Sequence, residues 1–260
     1  MKLVVKIGGA ALEDAALVRR FAHVVADLAH GGHRVLVVHG GGSALTAVLR
    51  ELGREPNFVD GLRVTDAATR DVAVMVLAGL ANKKLVAAIG TAGVPAIGLC
   101  GGDLHVMRAK RKHARADLGY VGEVTAVDAA WIERLWSLGA IPALASIALG
   151  TDGEYYNVNA DEVASACASA LKAEALVFLT DVPGVRGADG SVMGSLDIAD
   201  VPSMVERAIV SGGMLPKLEA CHRAIRRGVS RVHILPAARA DDVRAVTNGG
   251  IQCGTEVVAR

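Results

Sequence analysis

Along the 260 residues, short unbroken apolar runs alternate with longer segments whose apolar positions recur every three to four residues. "KLVVKIGG" predicts a buried strand, "AALVRRFAHVVADLAHGG" an amphipathic helix ended by Gly31 and Gly32, and "HRVLVVHGGG" a second strand broken by Gly40 to Gly42. Together they make a βαβ unit. The strands are continuous apolar runs with no polar face, so they belong in a parallel sheet covered by helices on both sides. The expected fold is α/β, a three-layer αβα sandwich around a central, mainly parallel sheet.

The alternation continues down the chain. "SALTAVLRELG" predicts a helix, "FVDGLRVTD" a hairpin turning at Asp60 and Gly61, and "DVAVMVLAGLANKKLVAAIGTAG" a long helix closing at Gly93. That helix is apolar around more of its circumference than one core-facing stripe requires, so it either forms a central core helix or buries a second face. "PAIGLCGGD" resumes the strand pattern, "HVMRAKRKHARADLGYVGEV" reads as a polar hairpin, "AAWIERLWSLG" as a helix, "IPALASIAL" as one strand and "DEVASACASALKA" as a helix. After "ALVFLTDVPGV" come an irregular stretch through Ser195, helices at "DVPSMVERAIVSG" and "LPKLEACHRAIRRG", and strands at "RVHILP" and "GTEVVAR". No spacer rich in proline, serine or charge separates the halves. Residues 1–260 read as one unit with two lobes, 1–175 and 176–260.

Composition narrows the function. With 28 basic against 27 acidic side chains and 3% aromatics, the chain offers neither a cationic footprint nor stacking rings for nucleic acid, and a small molecule is the expected partner. "AKRKHAR" accordingly reads as a solvated hairpin tip. Cys100, Cys167, Cys221 and Cys253 form no CxxC pair and the histidines no HExxH, so no metal centre is expected and the thiols read as reduced apolar fillers. Met1 leads directly into the first strand without a signal pattern, and no uncharged run is long enough to cross a bilayer. The expectation is a cytoplasmic protein with no membrane contact.

Both early strands end in glycines that lead into helices, at "KIGGA" and "HGGGS". Without a Cβ the chain turns tightly and its N–H groups can approach an anion, which the following helix N-terminus also favours. The plainer reading is a pair of tight connections. Two named phosphate motifs do not fit: the Walker lysine follows its glycines whereas Lys6 precedes Gly8, and the dinucleotide fingerprint fails at Leu45, the third glycine's place in "GGGSAL". Asp60 stands near the spacing of a ribose-binding acid, which keeps a dinucleotide-dependent oxidoreductase open as a rival.

"SGGMLPKLEA" repeats the theme, with Gly212 and Gly213 ahead of Lys217 in the first turn of a helix. An anionic partner there would offset the unfavourable dipole; without one, Lys217 is a solvated surface lysine. In "YYNVNADEVA", Asn157, Asn159 and Asp161 alternate before a helix. Asp161 is either an N-cap, with the asparagines serving a turn, or part of a polar wall, since residues two apart in an extended stretch point the same way. His39, beside the second glycine turn, reads as packing.

In this order "KIGG", "VHGGG", "GLRVTD", "NVNAD", "TDVPGV" and "GGMLPK" resemble the amino-acid kinase family over essentially the whole chain, and "GLRVT" with "NVNAD" resemble its members acting on N-acetyl-L-glutamate. The resemblance implies the family's αβα sandwich and ATP-dependent phosphorylation of the substrate's side-chain carboxylate to an acyl phosphate, a step of arginine biosynthesis. It implies that Lys6 contacts the transferring phosphoryl group, that Lys217 contacts ATP and the transition state from the other side, and that Asp161 orients both lysines. Gly8 and Gly41 would donate N–H groups to the developing charge. Arg63 would grip the α-carboxylate, Asn157 the groups around the α-carbon, and Gly41 and Gly42 would supply further amides, under a lid formed by "FVDGLRVTD".

For the nucleotide, the resemblance implies Lys6, Gly9 and Lys217 at the phosphates. Asp181, Val182, Pro183, Gly184, Val185 and Arg186 would border adenine and ribose, with Ile209, Val210 and Ser211 opposite. Magnesium (Mg2+) is expected to ride on the ATP phosphates and water, since no carboxylate cluster is evident to hold it. The long helix would pair subunits in a homodimer. Arginine-inhibited members carry a helix ahead of the first strand; here Lys2 to Ile7 is already strand, so a dimer insensitive to arginine is expected. The nearest alternatives are a kinase of the same family for a carrier-linked aminoadipate or glutamate, and a non-catalytic sensor on the same scaffold.

Overall fold

The computed structural model describes residues 1–251 and 253–259. Its largest layer is an eight-stranded sheet in the order β12-β14-β13-β11-β1-β2-β8-β5, formed by β1 (Lys2–Ile7), β2 (Arg34–His39), β5 (Ala96–Leu99), β8 (Ile141–Ala145), β11 (Ala175–Thr180), β12 (Ser195–Asp197), β13 (Arg231–Pro236) and β14 (Thr255–Val258). Neighbours run parallel except at β13–β14. A small hairpin pairs β3 (Phe58–Val59) with β4 (Leu62–Arg63), and β6 (Met107–Arg111), β7 (Val121–Val127), β9 (Ile147–Gly150) and β10 (Tyr155–Val158) close into a separate four-stranded ring. The mainly parallel sheet expected from the apolar runs is present; the ring is an addition.

Alternation along β1 builds a core on each side of the sheet. Leu3, Val5 and Ile7 join Val35, Val37 and the helix Ala15–His30 in one cluster, while Val4 joins Leu36, Phe178 and the helices Ala160–Ala170 and Met214–Arg226 in the other. Lys6 shares the face of Val4, which turns its side chain toward those two helices.

Three elements depart from the sequence expectation. "IPALASIAL" is two strands, because the chain leaves the large sheet at Ala145 and enters the ring at Ile147; both halves are buried, so the apolar run carries no trace of the break. "DVPSMVERAIVSG" is helical only over Val201–Glu206. Ala208 turns left-handed (φ 54°), and the Ile209 N–H reaches back to the Met204 carbonyl while the Ala208 N–H reaches Val205, a C-terminal stop made without glycine. The basic run is not a bare solvated tip either: Lys110 pairs with Glu123, Arg111 with Asp117, and Lys112 with Glu162 at 3.2 Å.

The long helix runs unbroken over Ala67–Thr91, with π-helical turns at Val74–Ala81. By length and composition it is apolar enough to cross a membrane, although Arg70, Asp71, Lys83 and Lys84 interrupt it, in keeping with the absence of a long uncharged run. In this fold Val72, Ala73, Val76, Leu77, Leu85 and Ile89 are buried, and the helix packs on β5, β8 and β9. Met75 and Leu80 stay 62% and 49% exposed on its outer side.

Candidate active site

The register of β1 on β2 sets Ile7 beside His39, so the two glycine turns leave the same end of the sheet side by side. They touch: a Cβ on Gly9 would lie 3.0 Å from the Gly42 nitrogen and 3.4 Å from that of Gly41. Gly41 has φ 155°, and a Cβ there would meet Leu77 of the long helix at 2.7 Å. Gly8 departs from expectation. Its N–H donates to the Leu179 carbonyl at 3.0 Å, continuing the β1–β11 ladder, and the turn residues that line the cleft are Gly9, Gly40, Gly41 and Gly42.

Asn159 caps the helix Ala160–Ala170, its side-chain oxygen accepting from the N–H groups of Asp161 (2.8 Å) and Glu162 (3.3 Å). Asp161 is therefore not the cap and its carboxylate is free for other partners. The Lys217 ammonium donates to Oδ2 at 2.8 Å, and the Lys6 ammonium lies 2.9 Å from Oδ1. The three residues are 6–8% exposed. Burial pushes the Asp161 carboxyl upward, but the Lys6 and Lys217 charges prevail and hold it at about 2. Burial and the Lys6 charge lower Lys217, with Asp161 opposing them. The result is two lysines and one aspartate in a buried recess, an excess of positive charge suited to an anionic partner.

The recess opens into a cavity of about 240 Å³ lined by Lys6, the glycine turns, Phe58, Arg63, Ser146, Asn157, Asn159 and Asp161, among others. All three polar residues of "NVNAD" line this cavity, Asn157 from β10, Asn159 at the helix N-cap and Asp161 from the first helical turn. Arg63 is buried, not an exposed hairpin arginine: Nη2 donates to the Gly42 carbonyl (3.0 Å) and Thr46 Oγ1 (2.7 Å), and the guanidinium lies 4.6 Å from the Phe58 ring centre. Its Nη1 is buried with no partner among the described residues. A buried donor left unpaired costs roughly 1–3 kcal/mol, which an incoming carboxylate would recover. Asn157 donates to Thr65 Oγ1 at 3.3 Å.

The hairpin tip also borders a second cavity of about 520 Å³, facing Gly212, Gly213, Leu215 and Pro216 at the start of the Lys217 helix. Asp181 to Arg186 leave the sheet beside the first glycine turn, since Thr180 ends β11 and its Cα lies 3.9 Å from a Cβ built on Gly8. Within this segment Asp181, Pro183 and Arg186 are exposed and Val182 half-buried, but Val185 is a core residue, its N–H held by Thr255 Oγ1 at 2.8 Å. Val210 is likewise in the core, with Ile209 half-buried and Ser211 exposed. The side chains of Val185 and Val210 are thus directed into packing, so any contact these two make with a nucleotide is through their backbone.

Ser146 escaped the sequence reading. Its only signal was a lone hydroxyl inside an apolar run. The dinucleotide rival fails on geometry: Leu45 is a buried core residue and Asp60 sits at the hairpin tip with φ 49°.

The sequence model of the amino acid kinase family matches residues 1–236. The chain belongs to the amino acid kinase family. It is 57% identical over 259 residues to the acetylglutamate kinase of Koribacter versatilis (strain Ellin345), covering 100% of this chain and 99% of that one. Identity to the acetylglutamate kinase of Acidobacterium capsulatum is 54% over 259 residues, covering 100% of both. The crystal structure of smu.665 from Streptococcus mutans UA159 superposes with a TM-score of 0.84 at 28% identity, covering 100% of this chain and 99% of that one. Family membership and the lysine-rich recess agree: an amino acid kinase must bring two anionic substrates together, and this cleft sets two lysines beside two glycine turns.

Proposed function

We propose that this chain is an N-acetyl-L-glutamate 5-phosphotransferase: it transfers the terminal phosphoryl group of ATP to the side-chain carboxylate of N-acetyl-L-glutamate, in arginine biosynthesis. The observation that carries the reading is the buried Lys6–Asp161–Lys217 cluster, opening onto a cavity of amino-acid size beside the unpaired Nη1 of Arg63. A carboxylate is ionised at neutral pH, so it attacks phosphorus without a general base; its oxygen forms the new P–O bond as the bond to ADP breaks and the electron pair leaves with ADP. The protein's work is alignment and charge neutralisation.

Arg63 and Asn157 hold the acid, Arg63 through the α-carboxylate. Lys6 meets the transferring group, Lys217 the donor side, and Asp161 fixes the two ammonium groups relative to each other. Gly9, Gly41 and Gly42 present amides to phosphoryl oxygens. The residues fit a nucleotide, since lysines and glycine-turn amides complement phosphate; Mg2+ carried on the phosphates and water would supply further neutralisation when bound. Among the described residues no three His, Cys, Asp or Glu side chains gather as metal ligands. Residues 1–175 provide the acid site and 176–260 the nucleotide site, on one continuous sheet. The exposed Met75 and Leu80 of the long helix pair two chains in a cytoplasmic homodimer; a single-chain mass in sedimentation would contradict this.

The test is an ATP–magnesium assay with hydroxylamine to trap acyl phosphate as hydroxamate. Signal with N-acetyl-L-glutamate, and not with glutamate, aspartate or aminoadipate, is the expected result. Signal with another acid, or with none, overturns the assignment.

A further inference from the structure

The second glycine turn has a problem that its neighbours solve. The peptide between Gly40 and Gly41 has no side chain on either flank, and such a unit rotates between orientations at little cost. Its trans geometry makes the Gly40 carbonyl and the Gly41 N–H point in opposite directions. Whatever holds the carbonyl therefore aims the N–H.

The holder is His39, the last residue of β2 and fully buried. Its Nδ1 lies 2.8 Å from the Gly40 carbonyl, and its Nε2 lies 2.9 Å from Nδ2 of Asn82, itself fully buried on the long helix. The same Asn82 Nδ2 donates to the Ala143 carbonyl at 2.9 Å. A carbonyl only accepts, so the amide nitrogen faces Ala143, and its second hydrogen faces His39. Nε2 must then be the bare nitrogen and Nδ1 must carry the proton, which it donates to Gly40. Burial holds the imidazole at about 4, so this one neutral tautomer persists at neutral pH. Its place beside the glycine turn suggests packing alone, yet His39 is the middle of a directed chain of hydrogen bonds from Asn82 to the glycine turn.

We infer that His39 is a positioning residue for phosphoryl transfer, which captures the Gly40 carbonyl and thereby turns the Gly41 N–H into the cleft. The inference rests on the reading of that cleft as the transfer site. Asn82 sets the tautomer, and so connects the long helix to the orientation of one backbone donor.

Two variants separate this role from packing. In His39→Asn the side-chain NH₂ stands where Nδ1 stood and still donates to Gly40, but the contact with Asn82 is lost. In His39→Gln the side-chain oxygen stands where Nε2 stood and still accepts from Asn82, but nothing donates to Gly40. For His39→Gln kcat falls about 100-fold, the effect of losing one preorganised donor, with both KM values within about threefold. His39→Asn keeps kcat within about fivefold of the wild type, although each variant loses one hydrogen bond and their melting temperatures fall alike. Equal losses of kcat in both variants, or full activity of His39→Gln, would overturn the inference. A second readout is independent of the acid substrate: on titration with a non-hydrolysable ATP analogue and magnesium, the Gly41 amide proton shifts downfield in wild type and His39→Asn but not in His39→Gln. If the wild type phosphorylates no acid, the functional reading falls, while the Gly41 shift still decides the role of His39.

Discussion

Asp161 is the residue on which the recess depends, because two buried ammonium groups would repel each other without it. Its carboxyl stands at about 2 in the folded chain against 3.8 for an ordinary aspartate. As pH falls, the unfolded chain takes up this proton first. The stabilisation is thus complete above about pH 4, and is lost as pH falls to about 2. In acid unfolding series, the stability gap between wild type and Asp161→Asn should close across that window; a gap that stays constant would mean the carboxylate contributes through packing alone. The types of these site residues were legible in the sequence, since lysine beside glycine pairs and alternating amides before a helix are visible without coordinates. Their partners were not. Gly8 looked like the free amide donor because its capture by Leu179 depends on a strand more than 160 residues away.

At the scale of elements, the hairpin Phe58–Arg63 carries Arg63 into the first cavity and its own tip to the edge of the second. Its turn needs left-handed backbone at Asp60 (φ 49°) and Gly61 (φ 77°), which is why the Asp-Gly pair announced it in the sequence. A β-branched residue is strained there, by roughly 1–2 kcal/mol. Gly61→Val should therefore lower kcat/KM for the acid by about tenfold while melting temperature changes little, as the hairpin stands apart from both main cores. A large fall in melting temperature, with kcat/KM unchanged, would show that the hairpin is structural. Elements marked by glycine or by strong periodicity were readable. The end of Val201–Glu206 was hidden because Ala208 supplies the left-handed turn that glycine usually signals, and the β8–β9 break was hidden because both sides of Ser146 are buried.

At the scale of the molecule, the recess exists because of strand order. Lys6 and Lys217 are 211 residues apart in the chain, yet β11 lies between β1 and β13, the helix carrying Asp161 packs over the β1 face that presents Lys6, and the helix carrying Lys217 packs beside it and over β13. Alternating strands and helices foretold a parallel sheet but not the order of its strands, so the sequence could name the three charged residues and not their meeting. The claim most exposed to test is that this meeting serves charge neutralisation during phosphoryl transfer. The deciding measurement is the steady-state kinetics of Lys217→Ala in the hydroxamate assay, with its fold checked by circular dichroism. The account predicts a fall in kcat of about 100-fold or more with KM for N-acetyl-L-glutamate within about threefold of wild type. A folded variant with kcat within threefold of wild type would contradict it, and would reduce the buried triad to a structural ion pair.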